Sequence, residues 1–279
     1  MAPSIPQHEQ LVQHIGQLSS CLVAFSGGVD SAVVAKAAHL ALGQQAVAVT
    51  GVSPSLAAGE LATARRIAQA IGIRHETLST DELADADYLA NQPDRCWHCK
   101  TELYQQMRRL GDSLGLVAIV NGTNADDRSD FRPGLRAADQ HQVQSPLADC
   151  GLGKVDVRQL ARHWALEVWD KPATPCLSSR VVYGLEITPQ RLARIDAAEQ
   201  VLRDLGFGVV RVRCHHDDLA RVEVAIEQLP RLGDGELRRL VVERLRELGF
   251  RYVTIDLEGF RSGSFQALIP PEQLVRHGR

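Results

Sequence analysis

A glycine-containing loop joins a predicted strand to a predicted helix near the start of the chain. The apolar run 21–25 predicts a buried strand, and alanine and valine at helical spacing over 31–42 predict a helix. The loop between them consists of Ser26, Gly27, Gly28, Val29, Asp30 and Ser31. Glycines let backbone amides turn towards an anion, serine hydroxyls can donate, and a helix N-terminus is positive. This unit predicts an α/β fold that binds phosphate groups.

A tight turn whose glycines serve geometry alone is the alternative interpretation of the loop. The two serines, the aspartate and the flanking strand and helix favour phosphate binding instead. The loop lacks the Gly-Lys-Ser/Thr ending of a Walker loop and the Gly-x-Gly-x-x-Gly pattern of dinucleotide sites. Asp30 is a candidate to hold Mg²⁺ or to organise hydrogen bonds.

Alternation of strands and helices continues through the first half of the chain. Further strands are predicted at 46–50, 74–78 and 116–120, with helices at 56–71 and 101–114. Uninterrupted apolar strands predict an α/β fold with a doubly wound parallel sheet, which binds ligands at the carboxyl ends of its strands. After the strand 116–120 come the candidate cofactor-binding residues Gly122, Thr123, Asn124, Asp126 and Asp127. The two aspartates are candidates for metal or ribose contacts, or else helix caps and turn formers.

The pattern changes from about residue 185. Thr188-Pro189 predicts the start of a helix that ends near 205. Predicted strands follow at 208–213, 219–226 and 251–257, with a charged amphipathic helix at 236–248. We therefore predict two domains, a nucleotide-binding domain over 1–184 and a second, smaller α/β or α+β domain over 185–279.

Composition and charge limit the classes of partner. The chain is 44% hydrophobic and 23% charged, as expected of a protein with a real core, and its net charge of −3 makes nucleic acid an unlikely partner. The N-terminus lacks a signal peptide and no apolar run is long enough to span a membrane, so we expect a cytoplasmic protein. The six cysteines are scattered, unlike a secreted disulfide framework.

Three of the cysteines suggest a reactive or metal-binding set. Cys96 and Cys99 form a C-x-x-C pair, and Cys176 adds a third thiolate; together they can hold a [4Fe–4S] cluster with one iron open. A zinc site completed by His98, a redox dithiol and incidental thiols are the alternatives. Arg180, four residues after Cys176, would favour its thiolate. Cys21, Cys150 and Cys214 are predicted to be structural.

Several separate motifs carry a resemblance to known families. The loop resembles the PP-loop of the ATP pyrophosphatase superfamily, also described as adenine nucleotide alpha hydrolase-like. The motifs lie, in chain order, at 94–100, 121–134, 169–180, 211–213, 220–223 and 256–264. Together they resemble the ATP-dependent sulfur transferase acting on pyridinium-3,5-biscarboxylic acid mononucleotide, over about residues 10 to 265.

The resemblance implies a reaction and its participants. ATP would be cleaved between its α and β phosphates to adenylate a substrate carboxylate, with adenine near 49–51 and Lys100 as the cation for pyrophosphate. Cys176 would handle sulfur, taken from sulfide at a [4Fe–4S] cluster or from the cysteine itself. The product would be the thiocarboxylate precursor of the nickel-pincer nucleotide used by lactate racemase, and the enzyme would be a homo-oligomer built through its second domain.

The resemblance also indicates where the mononucleotide binds. The candidate substrate-binding residues are Ser179, Arg180, Arg211, Arg213 and Glu223. The guanidinium groups could fork onto the substrate's phosphate or a carboxylate. The alternative is a solvated strand edge for the arginines and a simple ion pair between Glu223 and Arg221.

Three other functions are compatible with an adenylating site. A tRNA thiolase would ask for an RNA-binding module or basic face, which the balanced charge argues against. An amidating synthetase would need an ammonia source and no three-cysteine set. A nucleotide-binding regulator without turnover would tolerate the loss of Cys176.

Overall fold

The computed structural model describes residues 6–129, 133–261 and 265. The first part contains α1 (Gln7–Gly16), β1 (Cys21–Ala24), α2 (Val29–Leu42), β2 (Ala46–Val52), α3 (Glu60–Ile71), β3 (Arg74–Ser79), α4 (Ala86–Leu89), α5 (Arg95–Leu114), β4 (Ala118–Val120), α6 (Pro133–Gln140), α7 (Pro146–Asp149) and α8 (Lys154–His163). The second part contains α9 (Pro189–Asp204), β5 (Val210–Cys214), β6 (Leu219–Val224), α10 (Gly235–Glu247) and β7 (Tyr252–Ile255). Two motif segments, 130–132 and 262–264, lie outside the described residues.

A parallel sheet of four strands forms the centre of the first part. Its strand order is β3-β2-β1-β4, and every neighbouring pair is parallel. Cys21 and Val23 pack into a core with residues of α2, α3 and α8, whereas Leu22 packs with α5 and α6 on the opposite face. Because both faces are covered there, β1, β2 and β4 read as continuous apolar runs, whereas the edge strand β3 is polar and partly exposed. The predicted α/β class is confirmed.

A second, smaller sheet has the order β5-β6-β7. β5 is antiparallel to β6, and β6 is parallel to β7. Its core includes Leu192 and Ile195 from α9 and Leu245 from α10, but also Tyr88 and Leu177 from the preceding part of the chain. The smaller second sheet was predicted; the domain boundary at 184/185 stays a prediction.

Two helix starts differ from those predicted. The helix predicted at 101–114 begins at Arg95, so the whole C-x-x-C pair lies on α5. Cysteine, tryptophan and histidine are weak helix formers, and tertiary contacts override that preference here. The helix predicted from residue 56 begins at Glu60, because Gly59 takes a left-handed φ of 81°.

The start of α9 follows the sequence rule. Thr188 Oγ1 accepts a hydrogen bond from the Arg191 amide at 3.2 Å, and proline occupies the first turn. This prediction is confirmed. Across the described ranges, we find no helix with the length and apolar character that crossing a membrane requires.

Candidate active site

The phosphate loop lies at the carboxyl end of β1 and is organised by its own serines. Ser31 Oγ donates to the Gly28 carbonyl at 3.0 Å and accepts from the Ser26 amide at 3.3 Å. Ser26 Oγ accepts from the Gly28 amide at 3.3 Å. The loop conformation is therefore fixed by local hydrogen bonds, and phosphate binding by the two hydroxyls stays a prediction.

Glycine is required at two positions around this loop. Gly27 has a φ of 73°, and a Cβ there would lie 3.0 Å from the Cα of Ala64. A Cβ on Gly122 would lie 2.8 Å from the Ser31 nitrogen. The 2.8 Å distance is shorter than real Cβ atoms show, and the 3.0 Å distance is tighter than nine in ten real Cβ contacts. The glycines thus allow α3 and the end of β4 to approach the loop closely.

Polar residues after β4 meet the phosphate loop, as expected for neighbouring parallel strands. Asn124 Nδ2 donates to Asp30 Oδ1 at 2.9 Å. Asn121 Oδ1 accepts from the Thr123 amide and from Ser145 Oγ, both at 3.0 Å. The structure therefore brings Gly122, Thr123 and Asn124 to the same sheet edge as Asp30.

The two aspartates that follow have structural partners. Asp126 Oδ2 accepts from the amide of Lys154, the first residue of α8, at 2.7 Å. The Asp127 amide donates to Asn124 Oδ1 at 3.2 Å, and its carboxylate lies 3.4 Å from Lys154 Nζ. These contacts match the helix-cap and turn alternative. Their metal or ribose role stays a prediction.

The end of β2, predicted to contact adenine, connects three strands. Thr50 Oγ1 donates to the Phe25 carbonyl at 2.7 Å and lies 2.8 Å from His75 Nε2. Since the single hydroxyl proton goes to Phe25, His75 Nε2 must be the donor to Thr50. Burial, then Arg65, lowers the pKa of His75, which favours the neutral imidazole with its proton on Nε2.

The three thiols of the predicted set interact electrostatically. Cys96 is exposed on the first turn of α5, and Cys99 and Cys176 are half-buried. Burial raises the pKa of Cys99, and the thiols of Cys176 and Cys96 raise it further. Cys96 and Cys176, which are 80 positions apart in the sequence, are thus both close to Cys99 in space.

Two cations lie beside these thiols. Arg95 is buried and donates to Asn91 Oδ1 at 2.5 Å and to the Ser178 carbonyl at 2.9 Å. Burial disfavours its charge, but Cys96 and Cys176 outweigh that effect and raise the pKa of Arg95. Burial likewise opposes the charge of Lys100, and Tyr104 and the thiols outweigh it, so its pKa is raised. Both side chains are charged at neutral pH.

Arg180 holds the backbone of the segment that carries Cys176, residues 175–180. Its Nη1 donates to the Cys176 carbonyl at 2.8 Å, and its Nε donates to Glu199 at 3.0 Å in a fully buried ion pair. Ser179 Oγ donates to the same Cys176 carbonyl at 2.7 Å. The cations that interact with the Cys176 thiol are Arg95 and Lys100.

The arginines of β5 are buried, which contradicts the solvated-edge alternative. Arg213 forms a two-pronged ion pair with Glu223, at 3.0 and 2.8 Å, and Arg221 reaches the same carboxylate at 3.1 Å. Arg211 donates to the carbonyls of Val210 and Ala173. Burial, then Arg180, lowers the pKa of Arg211 to about 10. Within the described ranges Arg211 has no carboxylate partner, so it is the arginine best suited to an incoming anion.

The chain is similar in sequence to several known proteins. Residues 13–110 match the model of the asparagine synthase family. A protein of Synechocystis sp. described as uncharacterized is 46% identical over 261 residues, or 94% of this chain and 97% of that protein. Pyridinium-3,5-bisthiocarboxylic acid mononucleotide synthase of Lactiplantibacillus plantarum is 37% identical over 99% of both chains.

The chain belongs to this synthase family. The resemblance predicted from the motifs is confirmed. A tRNA-specific 2-thiouridylase of Rickettsia africae is 28% identical over 192 residues, which cover 55% of this chain and 52% of that protein. Its similarity and that of the asparagine synthase model are therefore partial, whereas the synthase family accounts for the whole chain.

His98, the predicted fourth ligand of a zinc site, contacts a carboxylate in the structure. Among the described residues, the one group of three ligand atoms within 4.8 Å of one another is Asp85, Asp87 and His98. His98 Nδ1 lies 2.8 Å from Asp85 Oδ2 and so engages that carboxylate rather than the cysteines. Zinc ligands must converge on one ion at about 2.0–2.3 Å, whereas cluster thiolates bind separate iron atoms. The geometry therefore weakens the alternative of zinc completed by His98.

Two buried charged residues near the thiols were missed by sequence reasoning. Arg95 lies within the motif at 94–100, and the only sequence feature that could have indicated its role is its position next to Cys96. Glu82 lies in the 3₁₀ turn Glu82–Ala84 and is 2% exposed. Nothing in the local pattern around Glu82 distinguishes it from a surface carboxylate.

Proposed function

We propose that this protein is an ATP-dependent sulfur transferase that converts the carboxylates of pyridinium-3,5-biscarboxylic acid mononucleotide into thiocarboxylates. The observation that carries the proposal is the 37% identity, over 99% of both chains, with a synthase named for the thiocarboxylate product. The structure supports it, since the chain carries both an ordered phosphate loop and three thiols with the cations Arg95 and Lys100 beside them. The product would serve biosynthesis of the nickel-pincer nucleotide.

The first step would be adenylation. A carboxylate oxygen of the substrate attacks the α-phosphorus of ATP, the bond to the β-phosphate oxygen breaks, and pyrophosphate leaves. The loop amides and the N-terminus of α2 would stabilise the phosphates. Mg²⁺ would neutralise the developing charge, with Asp30 as the candidate to hold it. Lys100 is the candidate cation for pyrophosphate.

The second step would replace AMP by sulfur. Hydrosulfide sulfur attacks the acyl carbon, the bond from carbon to the AMP oxygen breaks, and the thioacid releases one proton to solvent. Oxide is a poor leaving group and AMP a good one, which is why the carboxylate must first be adenylated. Arg95 and Lys100 would attract the anionic nucleophile.

Substrate anions would bind near the end of the Cys176 segment. Arg211 is the leading candidate, because Arg180 and Arg213 are already in ion pairs with Glu199 and Glu223, whereas Arg211 donates only to backbone carbonyls among the described residues. Arg180, Arg213 and Glu223 would then shape the site, and Ser179 would remain near Cys176. The predicted homo-oligomer and cytoplasmic location stay predictions.

A [4Fe–4S] cluster would be held by Cys96, Cys99 and Cys176. Three thiolates and two nearby cations suit an anionic cluster. When bound, the cluster would supply an iron position open to sulfide. Without it, Cys176 would itself be the source of sulfur.

Metal analysis decides between these possibilities. Protein purified without oxygen is expected to contain iron and acid-labile sulfide, because three thiolates suffice to retain a cluster. The measurement is elemental analysis with visible absorption, compared with the Cys96→Ser and Cys99→Ser variants, which should lose iron. Stoichiometric zinc without iron in the native protein would contradict the cluster. Loss of one H₂S from the protein's intact mass on turnover, as cysteine becomes dehydroalanine, would show a sacrificial cysteine.

The function is tested by product analysis. With ATP, Mg²⁺, sulfide and the dicarboxylate mononucleotide, the protein is expected to form AMP, pyrophosphate and a thiocarboxylate detectable by mass spectrometry. Formation of ADP would contradict adenylation. The same assay with tRNA in place of the mononucleotide would show whether the activity is thiolation of RNA instead.

A further inference from the structure

Tyr183 lies in the chain shortly after the predicted sulfur-handling cysteine, and the backbone on both sides of it is fixed. The Val182 amide donates to the Cys214 carbonyl at 3.0 Å. The Gly184 amide donates to the Asn91 carbonyl at 3.1 Å. The position of the tyrosine is therefore set by β5 on one side and by the residues that follow α4 on the other.

The side chain of Tyr183 is half-buried, and its hydroxyl is accessible. The guanidinium carbon of Arg95 lies 5.9 Å from the centroid of the tyrosine ring, and the ring centroid of Phe265 lies 6.5 Å from it. Across 6–129, 133–261 and 265 the tyrosine hydroxyl makes no hydrogen bond, and it is not fully buried. The protein therefore holds the ring and leaves the hydroxyl able to donate to a ligand.

Tyr183 interacts electrostatically with two thiols of the predicted set. Arg95, which contacts the tyrosine ring, donates to the carbonyl of Ser178, two residues after Cys176. Burial raises the pKa of the tyrosine, Arg95 opposes that rise, and the thiols of Cys96 and Cys176 add to it. The tyrosine is therefore protonated at neutral pH and presents an O–H donor near the thiols.

An accessible donor at this place matches a need of the second step. When sulfur attacks the acyl carbon, one electron pair of the carbonyl double bond moves to the carbonyl oxygen, which becomes an oxyanion. The carbonyl then re-forms, and the bond from carbon to the AMP oxygen breaks. Hydrogen-bond donors aimed at such an oxyanion lower the barrier. Arg95 is less suited to this contact, because it is 5% exposed and its Nη1 already donates to Asn91 and Ser178.

We propose that the Tyr183 hydroxyl donates a hydrogen bond to this oxyanion and thereby accelerates the transfer of sulfur. The tyrosine keeps its proton throughout, so the step needs no further acid or base. The role is the same for hydrosulfide and for the sulfur of Cys176, because both attack the same acyl carbon. The positive charge of Arg95 beside the ring makes the hydroxyl a stronger donor. This inference rests on the proposed function.

The Tyr183→Phe variant removes the hydroxyl and keeps the ring that contacts Arg95 and Phe265. We expect the rate of thiocarboxylate formation to fall about 100-fold, the usual effect of losing one oxyanion donor. The KM for the mononucleotide should stay near the native value, since the contact is made only in the transition state. First-turnover release of pyrophosphate should be retained, and the acyl adenylate should accumulate. Rapid-quench assays with mass spectrometry measure both steps.

Tyr252→Phe is the matched control, because it removes a hydroxyl from an exposed tyrosine of β7. Its rate of sulfur transfer should equal the native rate. A native rate in Tyr183→Phe would overturn the proposal, as would a rise in the KM for the mononucleotide without a loss of rate. Equal losses of pyrophosphate release and sulfur transfer would also overturn it, since they would indicate a structural defect. If the native protein releases no pyrophosphate with the substrate, the proposed function fails instead, so the two failures are distinct.

Discussion

Replacing Asp30 by alanine is expected to reduce pyrophosphate release from ATP by at least about 100-fold, the usual effect of removing one group that stabilises a charged transition state. Asp30 lies in the first turn of α2 and is tied to Asn124 at 2.9 Å. Its loss would remove the candidate Mg²⁺ ligand and loosen the contact between the phosphate loop and the end of β4. Substrate-dependent pyrophosphate release measures the effect.

Asp30→Asn is the matched control for this prediction. An asparagine oxygen can still accept from Asn124, so the hydrogen bond remains while the charge is lost. If charge matters, both variants lose activity; if only the contact matters, the asparagine variant keeps it. Near-normal release by Asp30→Ala would refute the assignment of the loop.

Replacing Cys176 by alanine is expected to abolish thiocarboxylate formation while leaving adenylation intact. The thiol lies beside Arg95 and Lys100, whereas the phosphate loop is organised by its own serines. The variant should therefore still release AMP or accumulate the acyl adenylate. Mass spectrometry of the substrate and assay of pyrophosphate separate the two steps.

Cys150→Ala provides the comparison for the cysteine variant. Cys150 is half-buried, follows α7 and packs against the core that contains β1, α2 and α8, whereas Cys99 packs against the core of the second sheet. Sulfur transfer by this variant should match the native protein. Continued thiocarboxylate formation by Cys176→Ala would remove that cysteine from the mechanism.

The nucleotide half of the site could be predicted from the sequence because its residues follow strands. Strand periodicity gave the parallel sheet, and parallel strands end at one edge, so the loop with Asp30 and the stretch with Asn124 were expected at the same edge. That β1 and β4 are neighbours, and that Gly27 and Gly122 allow close approach to the loop, came from the structure. Asp126 was ambiguous, because caps and metal ligands use the same residue types.

The thiol half could be predicted only in part. Spacing suggested a three-cysteine set, but no local pattern shows that Arg95 is buried or that Arg180 pairs with Glu199. These contacts join elements that are distant in sequence, and periodicity carries information about one element at a time. Glu82 was missed for the same reason, since its serine partners are 27 and 29 residues away.

The segment that carries Cys176 is fastened to α4 and to Asn91, which follows that helix, by groups that need no metal. Asn91 Nδ2 donates to the carbonyls of Val182 at 2.8 Å and Leu185 at 3.0 Å, and Tyr88 Oη lies 2.6 Å from Ser178 Oγ. Oxidative damage to whatever occupies the thiols would thus leave the surrounding scaffold assembled. An inactivated molecule could be repaired by re-supplying the lost component, without passing through the unfolded state.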